Sequence, residues 1–174
     1  MTRSMLKVSV ALLLLSAAAA AQMNNAATYV SGDQIQATTN ELQKETKGVS
    51  FRIVDVGDAH VGIAMQNRLK AEPGKTGGPI MHSNVTEVYI VTAGSATLAT
   101  GGIMTDQKPM KNTGEEGIGP GFAGMVAKAN DVRPIKAGDV VVIPKNTPHW
   151  FVEIPETFTY LVVRIDPSKS TNLK

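Results

Sequence analysis

The chain contains no cysteine, which excludes disulfides and thiolate metal sites; any metal must be held by nitrogen and oxygen donors. It also lacks an apolar run of the ~20 residues needed to cross a bilayer, since the first such run extends only from Val8 to Leu15. No cluster of Lys and Arg is present, so neither nucleic acid nor an anionic membrane is an expected partner. The glycines from Gly114 to Gly124 have no strand before them and no helix after them, which removes a phosphate-binding loop. G-x-S-x-G is missing too, and with it any support for nucleophilic-serine chemistry.

What is present fits one globular domain: 174 residues, of which 43% are apolar. Arg3 and Lys7 precede the Val8 to Leu15 run, and small residues lead to a cut after Ala21, so residues 1–21 read as a secretory signal. The protein is therefore expected to be secreted or periplasmic, with no stable membrane insertion after cleavage. Cleavage removes two of the 17 basic residues and no acid, leaving 15 against 15 and a nearly neutral mature chain.

Residues 22–48 read as a polar leader and a helix. Ser31 with Gln34 resembles a capping box, Ile35, Thr38, Thr39 and Leu42 share one face, and the helix is expected from about Gly32 to about Lys47, closed by Gly48. The period then changes. FRIVDV, HVGIAMQNRL, TEVYIV, SATLAT, GMVAKA, DVVVIP, HWFVEI and TFTYLVVRI are short β-rich runs separated by Gly, Pro and Asp, the pattern of an antiparallel sandwich or barrel. The segment from Gly101 to about Gly121 has no sustained periodicity and reads as a long loop, either a lid or binding loop or merely mobile, with Met104, Met110 and Met125 in or beside it as lid packing.

Two blocks carry the chemistry. In the first, Gly74 is followed by five residues, then Ile80, Met81 and His82, then four residues to Glu87 and six to Gly94. In the second, Gly138 is followed by five residues to Pro144, then Asn146, His149 and Glu153. Side chains alternate along a strand, so Ile80 and His82 are expected to share one face, and His149, Phe151 and Glu153 another. If a barrel closes these faces on one lumen, two imidazoles and a carboxylate form a three-ligand site with open positions.

These blocks resemble the two motifs of the cupin superfamily, G-x5-H-x-H-x3-4-E-x6-G and G-x5-P-x-G-x2-H-x3-N, with matching spacing over about Phe51 to Ile165. His82, Glu87 and His149 take ligand positions; Ile80 stands at the first histidine, Asn146 at the glycine and Glu153 at the asparagine. The resemblance implies an all-β, double-stranded β-helix (a cupin jelly-roll barrel) and a homodimer; with the short N-terminal helix read above, the cupin domain is expected over 49–167 and a tail over 168–174. It implies one divalent transition metal, Fe, Mn, Zn, Ni or Cu, on His82, Glu87 and His149, held less firmly for want of a ligand at Ile80.

The expected function is an exported cupin enzyme acting on a small organic substrate by oxidoreductase or lyase/isomerase chemistry. Glu87, His149 and Glu153 are the candidate catalytic residues, Glu153 as substitute ligand, acid or base, or a solvated group at the rim. The alternative is a metal-free module that binds a sugar or small acid; a metal-free enzyme using His149 and Glu87 for proton transfer is a third reading. His60 reads as a packed or hydrogen-bonded imidazole, and Trp150 as core or interface packing. Gln66 and Arg68 alternate with an apolar face that includes Ile63 and Met65, and they meet either solvent or a substrate anion; Arg164 has the same two options.

Overall fold

The computed structural model describes residues 26–110 and 118–174. The expected signal segment and residues 111–117 of the Gly101 to Gly121 segment lie outside the described residues. Among the described residues one helix and eleven strands follow in chain order: α1 Gly32–Leu42, β1 Lys47–Asp55, β2 His60–Arg68, β3 Ile80–His82, β4 Thr86–Ala93, β5 Ser95–Thr100, β6 Met104–Pro109, β7 Gly121–Val126, β8 Asp131–Lys136, β9 Val140–Ile143, β10 His149–Glu153 and β11 Phe158–Asp166. The strands form two antiparallel sheets, ordered β1-β2-β11-β4-β9 and β6-β7-β3-β10-β5-β8. This is the double-stranded β-helix that the paired blocks imply.

Ser31 caps α1 as expected, its hydroxyl accepting from the Gln34 N–H at 3.1 Å. The helix ends at Leu42, not at Lys47. The carbonyl of its last residue and that of Glu45, just past the helix, are taken up by a buried side chain: Asn67 Nδ2 donates to Leu42 O at 2.8 Å and to Glu45 O at 2.7 Å. The chain then enters β1, so Gly48 lies inside a strand opposite Gln66 instead of closing the helix. Leu42, with Ile35 and Val30, covers Phe51 and Met65 on the outer face of the first sheet. That cover explains why β2 is buried on both faces from Ala64 to Asn67.

The main core lies between the sheets and centres on Leu98, Phe151, Phe158, Tyr160 and Val162. Burying each such large apolar side chain contributes about 1.5–3 kcal/mol, which makes this layer the principal source of stability. Gly94 has φ +72°, and a Cβ there would lie 2.2 Å from Thr157 O, so the turn from β4 to β5 admits only glycine. Lys174 covers part of the β1 edge of the first sheet, exchanging backbone hydrogen bonds with Ile53 at 2.9 Å. His60 fits its expected role: it is buried, with Nδ1 2.8 Å from Thr171 O.

Three strand expectations need correction. The segment from Gly101 to Gly121 is not one long loop, because β6 and the start of β7 occupy its two ends. β8 went unread because Pro134 interrupts it; it is an edge strand, where a missing N–H is tolerated. In β10 the register slips between Phe151, opposite Leu98, and Glu153, opposite Thr97. Leu98 is buried and Thr97 is not, so this bulge takes Glu153 off the face it was expected to share with His149 and Phe151.

Candidate metal centre

Across the first sheet the pairing register aligns Gly62, Arg164 and Glu87 in one row, Ala64, Val162 and Tyr89 in the next, and Gln66, Tyr160 and Val91 in a third. These rows face the second sheet. Glu87 is 1% exposed, and its two oxygens have different partners. Arg164 Nε donates to Oε1 at 2.8 Å, while the Tyr89 hydroxyl donates to Oε2 at 3.0 Å.

The second sheet supplies both imidazoles. His82 ends β3 and His149 opens β10; these strands pair through Ile80 and His149, and Asn146 N–H donates to His82 O at 2.8 Å. Asn146, at the position the family motif gives to glycine, has φ +61°, a left-handed conformation that asparagine tolerates better than most residues. Glu87 Oε2 lies 3.3 Å from His149 Nε2 and 3.6 Å from His82 Nε2. One ligand atom from each of the three residues falls within 4.8 Å of the others.

His149 Nδ1 lies 3.0 Å from Thr147 O. A carbonyl only accepts, so Nδ1 carries the proton and Nε2 presents a lone pair. That Nε2 is buried, and so is His82 Nδ1; neither has a hydrogen-bond partner among the described residues. An unpaired buried polar atom costs about 1–3 kcal/mol. The His149 Nε2 lone pair, unmatched 3.3 Å from an ionised carboxylate, suits a cation, and the nitrogen and oxygen donors suit a borderline divalent ion.

Protonation states agree with that use. Burial lowers the His82 pKa to about 4 against an opposing pull from Glu87, so this imidazole is neutral near pH 7. Burial alone would raise the Glu87 carboxyl, but the Arg164 charge beside it holds it well below the usual carboxylate range. Burial, followed by the Glu87 charge, pushes the Tyr89 hydroxyl well above the ordinary phenol range, so it remains a donor. Tyr89 was missed in the sequence, although its place two residues after Glu87 on one strand was the signal.

The centre opens into a cavity of about 580 Å³. Ile80, Phe151 and Tyr160 give it apolar walls, and Gln66, Arg68 and Arg164 also line it. Trp150, expected in core or interface packing, is half-buried and borders this cavity. Of the three methionines, Met104 is buried, Met110 borders the cavity and Met125 is exposed. The structure thus brings His82, Glu87 and His149 together and leaves Glu153 apart, half-buried and outside the cavity lining.

A family model described as Cupin matches residues 37–173. The chain belongs to the cupin family. No curated protein matches it. Solved structures similar to it include a Bacillus halodurans protein at 10% identity, covering 86% of this chain and 90% of that one with a TM-score of 0.49. KdgF from Halomonas sp. is 13% identical over 70% of this chain and 81% of its own, TM-score 0.40. The DMSP lyase DddQ from Ruegeria pomeroyi is 16% identical over 74% of this chain and 51% of its own, TM-score 0.42. At such identities and scores, none of the three bears on this chain's activity.

Proposed function

We propose that this protein is an exported cupin enzyme that holds one divalent metal on His82, Glu87 and His149 and acts on a small organic molecule. One observation carries the reading: three buried donors meet at the end of a cavity, with the His149 Nε2 lone pair unmatched. A divalent ion bound there would supply Lewis acidity toward a carbonyl or hydroxyl group. The chain's own residues do the rest. Arg164 and Tyr89 hold Glu87 in place and keep it ionised, Thr147 fixes the His149 tautomer, and Ile80 and Phe151 limit water around the centre.

Oxidoreductase or lyase/isomerase chemistry is the class proposed, since both use a Lewis-acidic ion with open positions. Export rests on the sequence of residues 1–21, and N-terminal sequencing of the mature protein should begin at Gln22. A homodimer is proposed on family resemblance and is measurable by light scattering.

A metal-free binding module is the second reading, and the Arg164–Glu87 pair favours it, because this contact already neutralises the carboxylate. Elemental analysis of the purified mature protein separates the two. A stoichiometric ion that disappears in His82→Ala supports the enzyme; no ion at any loading supports the module.

A further inference from the structure

The same cavity contains a guanidinium that the metal centre does not use. The sequence left Gln66 and Arg68 facing either solvent or the interior. Pairing settles the registry: Gln66 is opposite Tyr160, Arg68 is opposite Phe158, and both partners belong to the core between the sheets. Gln66 is 4% exposed and Arg68 is half-buried, and both line the cavity.

Arg68 donates from Nη1 to Asn67 O and from Nη2 to Gln66 Oε1, both at 3.0 Å. Both acceptors are neutral. Among the described residues, no carboxylate forms an ion pair with it. A guanidinium has five N–H donors, so the fork retains donors for a ligand.

Its setting is built in detail. Gln66, which holds the fork, lies against Gly48; a Cβ on Gly48 would come within 2.3 Å of the Gln66 amide nitrogen and 2.6 Å of its oxygen. Glycine in β1, where it weakens a strand, therefore makes room for the side chain that orients Arg68. The described cavity lining also includes Lys47 and Arg164 as cations, but Glu87 as its only carboxylate, and Arg164 is bonded to that group. Lys47 lies 3.9 Å from Glu45, which leaves Arg68 as the lining cation with no carboxylate partner among the described residues.

We infer that Arg68, oriented by Gln66 over Gly48, is an anion-binding position that takes the carboxylate of a small organic acid. Arg68 is six residues along β2 from Gly62, whose row contains Glu87; at strand rise this is about 20 Å between Cα positions, and the side chains shorten the gap. The acid is elongated, its carboxylate at Arg68 and its far end toward the histidines, with Phe151 and Tyr160 against its apolar body. The placement of that far end rests on the metal reading; the anion position does not.

The test compares hexanoate with its neutral amide, hexanamide, by titration calorimetry on the mature protein, both metal-loaded and chelator-treated. Hexanoate should bind at least about tenfold more tightly in both preparations, as a charge-assisted fork contact requires. Arg68→Gln should abolish the preference with metal content unchanged, Arg68→Lys should retain part of it, and Gly48→Ala should weaken it without removing any charge. Thermal melts verify that each variant folds. Equal binding of acid and amide by the wild type, no hexanoate binding at millimolar concentration, or a preference that survives Arg68→Gln would overturn the inference. An acid preference in a protein that never holds metal would defeat the metal reading alone, and bound metal without the preference would defeat this one alone.

Discussion

Arg164 and Glu87 face each other on adjacent strands, with the guanidinium Nε donating to Glu87 Oε1 at 2.8 Å and both side chains almost fully buried. The carboxylate is thereby divided. Oε1 is committed to Arg164, while Oε2 takes the Tyr89 hydroxyl and faces both imidazoles. One oxygen anchors the group and the other is aimed at the centre, and Glu87 remains ionised whether or not a cation is present.

Arg164→Leu should therefore strand a buried charge. Removing one partner of such a pair is expected to destabilise metal-free protein by about 3–5 kcal/mol in urea unfolding. A divalent ion at Glu87 would replace the lost positive charge, so the loss should be smaller in metal-loaded protein. An equal loss in both preparations would mean that no cation sits against this carboxylate.

Acid should weaken the metal-free fold through His82 first. Its folded pKa of about 4 lies below the ordinary 6.5, so between those values the unfolded chain binds a proton that the folded chain refuses. Stability consequently falls as pH drops from 6.5 to 4, by about 3 kcal/mol at 1.36 kcal/mol per pH unit. Glu87, with its pKa depressed, adds stability that is complete above the usual carboxylate range and disappears at still lower pH. Melting temperatures of chelator-treated protein should decline across the His82 window, and His82→Gln should flatten that decline. An unchanged melting temperature from pH 6.5 to 4.5 would contradict a buried, neutral His82.

Much of this was legible because strand periodicity and motif spacing are local. Ile80 and His82 could be placed on one face from residues i and i+2 alone, and the motif spacing of the two blocks implied that Glu87 and His149 would join His82. Features that depend on pairing could not be read. Glu153 shares parity with His149 in sequence, but the slip opposite Leu98 and Thr97 changes its face. Gly48 resembled a helix stop, yet Asn67 ends the hydrogen bonding of α1 from another strand, and Gly48 makes room for Gln66. Arg164 had two possible faces until its register against Glu87 fixed one.

Ile80 is where register and motif can be tested together. It is directly opposite His149 in the antiparallel pair, so the two side chains project to the same face with Cβ atoms about 4.5–5.5 Å apart. Ile80 also lines the cavity and is two residues from His82 on the same strand. A histidine there would bring a third imidazole beside the other two. Changes behind metal ligands alter affinity about 10–100-fold, so a new direct ligand should tighten binding by at least about tenfold. Ile80→His should therefore hold zinc or manganese against a competing chelator at concentrations that strip the wild type, with the gain shrinking as pH falls and the imidazoles protonate. Unchanged or weaker retention would mean that the face shared by residues 80, 82 and 149 does not converge on a bound ion.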